Sequence, residues 1–133
     1  MRRNRVANVL VIVSDHTKQF YNDVWQDNIL HYTGMGKTRD QKLTFHQNKT
    51  LNESQTNGVK VYLFEVFTKG KYAYQGHVKL ARKPYQKTQS DYQGNVRNVW
   101  IFPLEVINRK LPTIIPEETL QKEQDQREKK YEN

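Results

Sequence analysis

The run Tyr32-Thr33-Gly34-Met35-Gly36, followed by Asp40-Gln41-Lys42-Leu43-Thr44 and then Asn48-Lys49-Thr50-Leu51, decides how the rest of the chain is read. Gly34 and Gly36 allow positive φ and close approach of another backbone. Asp40, Gln41 and Asn48 carry short polar side chains that can pin such a loop through hydrogen bonds to its main chain. Trp25 and Tyr32 place aromatic surface at its leading end.

Outward from this loop, the apolar pattern has a period of two. Residues 6–13 are β-branched and apolar, which predicts a strand. Residues 17–25 read as a turn or short helix. Residues 28–58 are loop-rich, with a short helix within 43–51. Strands are predicted over 59–67 and 71–80, joined as a hairpin by Lys69-Gly70, and again over 96–106. Residues 111–116, with two prolines, read as an extended linker. Residues 117–131 read as a charged helix with acids early and lysines late, as the helix dipole favours. The fold class is therefore mainly β (α+β): a strongly curved sheet or open barrel with one or two short helices and a charged C-terminal helix. The division is residues 1–110 as one domain and 111–133 as linker and helix, leading towards a further domain.

The chain has 133 residues, enough for one domain with one core, and a formal net charge of +8. Its C-terminal seventeen residues are net acidic, so the positive charge belongs to the body, as phosphate binding would require. A merely basic soluble protein has the same balance. The absence of cysteine excludes disulfides, thiolate catalysis and cysteine zinc sites, and fits a cytoplasmic protein. Residues 9–13 are the longest apolar run, far too short to span a membrane. The histidines at 16, 31, 46 and 77 show no zinc spacing, and no metal or other cofactor is implied.

The ordered pieces resemble the SRA (SET- and RING-associated) domain, a reader of modified cytosine in DNA. That family's hallmark runs YTGxGG, a variable insert, DQxLT and NxAL. Here it is matched by Tyr32-Thr33-Gly34-Met35-Gly36, Asp40-Gln41-Lys42-Leu43-Thr44 and Asn48-Lys49-Thr50-Leu51. Tyr74-Gln75-Gly76-His77-Val78 is similar to its YDGxY segment, and Val99-Trp100-Ile101-Phe102-Pro103-Leu104 to its VWRxxL strand. Within the family the likeness is to the SRA-like domains of bacterial McrA-type HNH restriction proteins; no HNH motif is present in this sequence. The resemblance implies an SRA/PUA-like barrel and extrusion of the modified base from double-stranded DNA. The partner it implies is DNA with 5-methyl- or 5-hydroxymethylcytosine, with a fused or associated nuclease domain and no membrane.

Carried over residue by residue, Tyr32 would stack on the base while Thr33 and Gly34 line the pocket. Asp23, nine residues before Tyr32, matches the family's cytosine-reading aspartate, and Tyr21 is a candidate second stacking face. A carboxylate accepts from the N4 amino group that thymine lacks. Outside the resemblance, an aspartate in this position is an Asx-turn or N-cap residue. Arg2, Arg3, Arg5, Lys37, Arg39, Lys42 and Lys49 are candidates for backbone or groove contacts, the first three as a basic arm. Gly36, Asp40, Gln41 and Asn48 are expected to scaffold the loop. The insert is only Lys37-Thr38-Arg39, too short to probe far into a duplex.

The chain itself is expected to be non-catalytic. Two alternatives remain: a basic module binding nucleic acid by charge alone, and a metal-dependent nuclease using Asp23, Asp40 and a histidine.

Overall fold

The computed structural model describes residues 1–18 and 22–110. Its strands are β1 (Arg2–Asn4), β2 (Val9–Asp15), β3 (Val24–Gln26), β4 (Ile29–Thr33), β5 (Lys60–Thr68), β6 (Lys71–Leu80), β7 (Tyr85–Ser90) and β8 (Val96–Asn108), with one helix, α1 (Gln47–Asn52). All eight strands join one open, curved sheet in the order β1-β2-β5-β6-β8-β4-β3, with β7 also paired to β8. The mainly β expectation holds. Tyr21, the linker and the C-terminal helix lie outside the described residues.

β2 and β5 run parallel, and every other pairing is antiparallel. A parallel pair requires a long crossover. Here that connection contains β3, β4, the glycine loop and α1, so the topology itself delivers the diagnostic segment to one end of the sheet.

Burial follows the pleat. Leu10, Ile12, Val61 and Leu63 enter the larger core with Leu30, Tyr32, Leu51, Phe102 and Leu104. Val9, Val11, Val13, Tyr62, Phe64 and Val66 form a second cluster on the opposite face. Both faces of β2 and β5 are thus covered, which is why their sequences are continuous apolar runs rather than alternating ones. β8 is the spine: β4 flanks one edge, with Tyr32 opposite Phe102, while β6 and β7 share the other.

Several boundaries differ from expectation. The strand predicted over 6–13 begins at Val9; Val6 is fully exposed, and Asn8 has a positive φ of 53°. Residues 2–4, read as part of an arm, instead form β1 against β2. The readings of 17–25 as a turn or short helix and of 28–58 as loop-rich concealed the β3–β4 hairpin, whose turn is Asp27-Asn28 with φ of 52° and 63°. Asp and Asn are the residues that tolerate such a turn without glycine. β7 was missed because Tyr85-Gln86-Lys87-Thr88-Gln89-Ser90 offers no apolar alternation; it is held by β8. Lys69-Gly70 does make the expected turn, with Gly70 at φ 80°.

Candidate functional site

The glycine loop continues the sheet by side-chain means after β4 ends. Gly34 N–H donates to Trp100 O at 2.8 Å, the last main-chain rung. Gln41 then replaces the missing strand. Its Oε1 accepts from Trp100 N–H at 2.9 Å and its Nε2 donates to Gly34 O at 2.7 Å. Asp40 and Gln41 also pair with Asn98: Asp40 Oδ1 accepts from Asn98 N–H at 2.8 Å, and Gln41 N–H donates to Asn98 O at 2.8 Å. Asn48, fully buried at the start of α1, clasps Met35 from both sides. It accepts from Met35 N–H at 2.7 Å and donates to Met35 O at 3.0 Å. Side chains thus hold Gly34 O and both main-chain groups of Met35, which no strand pairs.

Gly34 has no space for a side chain. A Cβ there would lie 2.9 Å from both Asn48 Oδ1 and Phe102 Cε2. Gly36 has a φ of 127°, outside what L side chains readily adopt. Arg97, 5% exposed, extends beneath the loop and donates to Gly36 O and Arg39 O.

Asp23 is 7% exposed and joins two strands. Its Oδ1 accepts from Thr33 N–H at 2.7 Å, and its Oδ2 from Ser14 Oγ at 2.7 Å. These two hydrogen bonds orient the carboxylate. Asp23, Thr33 and Gly34 are thus brought together. Tyr32 is 1% exposed and belongs to the larger core, so in this structure its ring presents no open face. Beside Asp23 lies a second polar pair: Glu65, 2% exposed, bonds His16 Nε2 at 2.5 Å and accepts from Trp25 Nε1 at 3.0 Å. His16 stacks on Phe67 at 4.9 Å and contacts Ser14 Oγ at 3.4 Å.

The basic candidates separate into groups. Arg3 is turned inward, donating to Asn8 Oδ1, Asn4 O and Val9 O, which corrects its reading as part of a free arm. Arg2 is half-buried in β1, and Arg5 is exposed beyond it. Lys37 is half-buried; Arg39, Lys42 and Lys49 are exposed around the glycine loop. Arg82 and the exposed Lys87 add positive charge near His31, and together with burial, the larger cause, they lower the His31 pKa.

Sequence reading overlooked Ser14, Gln89 and Arg97. Ser14 lies just beyond the strand predicted over 6–13, where β2 continues to Asp15. Gln89 belongs to β7 and donates to Thr33 Oγ1 at 3.3 Å. Arg97 was indistinguishable from any other basic residue. Asp23 and Asp40 bond to different main-chain groups, and among the described residues no three metal-binding side chains come together. No helix of the described residues is long and apolar enough to cross a membrane.

Comparison with known proteins gives a consistent result. The family model described as the ScoMcrA-like SRA domain matches residues 4–128. No curated protein sequence matches. Among solved structures, the SRA domain of SUVH5 in complex with fully methylated CG DNA is 27% identical, with a TM-score of 0.54, over 77% of this chain and 67% of that one. The sulfur-binding and SRA domains of ScoMcrA, complexed with phosphorothioated DNA, superpose with a TM-score of 0.63 at 19% identity, covering 84% of this chain and 34% of that one. KRYPTONITE in complex with mCHG DNA gives 0.53 at 21% identity over 78% and 24%. The chain thus spans about two thirds of the SUVH5 chain and a quarter to a third of the others. With the family match covering nearly the whole sequence and the fold agreeing, the chain belongs to the ScoMcrA-like SRA-domain family.

Proposed function

We propose that this chain binds double-stranded DNA containing modified cytosine and extrudes that base into a pocket at Asp23, Thr33 and Gly34. In this reading it is the recognition module of a modification-dependent restriction system, with residues 1–110 as the reader and residues 111–133 leading to a nuclease. The observation that carries it is the buried Asp23 carboxylate, held by Thr33 N–H and Ser14 Oγ at the family's cytosine-reading position. A preset acceptor of this kind suits the N4 amino edge of cytosine. The likeness to the SUVH5 SRA domain, bound to fully methylated CG DNA, supports a methylated-DNA ligand.

Flipping costs a few kcal/mol of stacking and pairing, which the pocket must offset. Tyr32 contributes a stacking face once the base displaces what covers its ring, and Tyr21 is the candidate for the other side. Lys37, Arg39, Lys42 and Lys49 border the loop and contact phosphate or groove; Arg2 and Arg5 supply further positive charge. Asp40, Gln41, Gly36 and Asn48 act indirectly by fixing the loop.

A single methyl is worth roughly 0.8 kcal/mol by area, and pockets discriminate one methylene by about 10–200-fold. The deciding experiment is competitive binding at one near-physiological salt concentration. The duplexes are identical except for one cytosine: plain, 5-methyl or 5-hydroxymethyl. Preference of about tenfold, or 1.4 kcal/mol, for a modified base supports the proposal. Equal affinities that fall steeply with salt leave a charge-driven nucleic-acid binder. Metal-dependent cleavage by the purified chain would favour the nuclease alternative.

A further inference from the structure

β7 contributes no residue to either core cluster, yet it is tied to the far side of β8. Tyr85 and Thr33 both face Ile101, one from each flank. Residues directly opposite in a ladder share a face of the sheet, and alternate residues of a strand return to it. Tyr85, Lys87 and Gln89 therefore lie on the same face as His31 and Thr33. Two hydrogen bonds cross β8 on that face. Gln89 Nε2 donates to Thr33 Oγ1 at 3.3 Å, and His31 Nδ1 pairs with Tyr85 OH at 2.7 Å. The face thus runs from Thr33 to His31, two residues further back on β4 and roughly 7 Å away by strand rise.

Its charge is one-sided. Residues 81–90 include Arg82, Lys83 and Lys87 and no acidic residue. Arg82 and Lys87 are exposed, and Tyr85 is 37% exposed beside His31. Glu105, the carboxylate that β8 carries on this face, is already paired with Lys79 at 3.3 Å. Burial and, after it, Arg82 and Lys87 hold the His31 pKa below its usual value, so cations crowd this imidazole. A single lysine is enough to guard an edge strand against pairing with another sheet. Cations gathered around a fixed His–Tyr pair exceed that need and call for an anion.

We propose that β7 is a phosphodiester-binding track, on which His31, Tyr85, Arg82 and Lys87 hold the backbone of the DNA strand whose base enters at Thr33. Arg82 and Lys87 neutralise phosphate charge, as contacts that position a duplex do. The His31–Tyr85 pair adds a directed donor whichever way its shared hydrogen bond runs. If Tyr85 O–H donates to Nδ1, the neutral ring keeps its N–H on Nε2; if Nδ1–H donates, the Tyr85 hydroxyl hydrogen is left to point outward. Gln89 joins the track to the pocket through Thr33. The track rests on the reading of this chain as a DNA binder, and it adds a second basic surface to the one around the glycine loop. An acidic peptide is the poorer occupant, because one end of the track is a residue of the base pocket.

The test is duplex binding by the whole chain over a range of salt concentrations, with plain and 5-methylcytosine duplexes. In the Arg82→Gln, Lys87→Gln double variant, log affinity should fall less steeply with log salt, by about two in slope. Affinity at near-physiological salt should drop at least tenfold for both duplexes. Lys69→Gln with Lys71→Gln removes the same charge from the exposed β5–β6 turn and should change neither quantity. Position is read separately. One neutral methylphosphonate linkage beside the target cytosine should weaken the parent severalfold and the double variant less than twofold. An unchanged slope, an equal change in the Lys69, Lys71 control, or a methylphosphonate cost that persists in the double variant would overturn the proposal. A parent that binds both duplexes equally, with the slope difference intact, would defeat the modified-cytosine reading while the track stands as a DNA-backbone site. No binding of either duplex would defeat both.

Discussion

Gln41 stands in for a strand beside Trp100: its side-chain Oε1 accepts the Trp100 N–H at 2.9 Å where β4 no longer runs. The same amide returns a hydrogen bond to Gly34 O at 2.7 Å, so one side chain closes both the sheet and the loop. Replacing it by alanine leaves a buried donor and a buried acceptor, each worth about 1–3 kcal/mol when unsatisfied. Gln41→Ala should therefore lower stability measurably in denaturant titration. Gln41→Glu should be at least as damaging, because a carboxylate then faces the carbonyls of Gly34 and Gly36. If Gln41→Glu unfolds like the parent, the amide is not holding the loop.

Gly34 is the tightest point of the same structure. Its neighbours cannot give way easily: Asn48 is clasped to Met35, and Phe102 is fully buried. Overpacking a well-filled site costs about 1–3 kcal/mol. Gly34→Ala is predicted to fall in that range in thermal or denaturant unfolding. Gly94→Ala measures a different cost, because a Cβ there would meet nothing within 4 Å but the residue has a φ of 83°.

These two positions also explain what the sequence made legible. Gly34, Asp40, Gln41 and Asn48 stood out because their chemistry is local: short polar side chains bonding a nearby main chain. β5, β6 and β8 were legible through their apolar patterns. β7 was hidden because a polar edge strand takes its structure from the strand it joins, not from its own pattern. Ser14 and Arg97 were hidden for a related reason. Ser14 meets Asp23, and Arg97 meets Gly36, only after distant segments have come together. Tyr32 illustrates another limit. Its motif marks it as a candidate stacking face, but only the fold shows that its ring is packed into the larger core in this structure.

Acidification provides a test that does not involve DNA. Burial, with Arg82 and Lys87 adding to it, lowers the His31 pKa, and burial with Lys60 lowers that of His77. The unfolded chain takes up these protons near the ordinary value of about 6.5, whereas the folded chain does so only at lower pH. Between the two, the unfolded state binds more protons, so stability is full above about pH 6.5 and declines as pH falls through the lowered values. The folded protein should lose stability on going from about pH 7 towards pH 5. A His31→Asn, His77→Asn double variant should show a shallower decline over that interval. An unchanged slope would remove these histidines as its origin.

Asp23 and Ser14 separate recognition from folding. Under the proposed function, Asp23→Ala removes the base-edge acceptor and also strands Thr33 N–H, whereas Ser14→Ala removes only one support of the carboxylate. Asp23→Ala should therefore weaken binding to modified duplex by tenfold or more, about 1.4 kcal/mol, with little change for unmodified duplex. Ser14→Ala should weaken modified-duplex binding by a smaller factor. In Asp23→Ala the Ser14 substitution should then cost almost nothing further, because the two residues act through one hydrogen bond. The measurement is competitive binding of the parent and the three variants to paired duplexes, with denaturant unfolding run alongside to correct for stability. Equal losses on modified and unmodified DNA would take Asp23 out of the pocket. Additive losses would mean that Ser14 acts on DNA by another route than orienting the carboxylate.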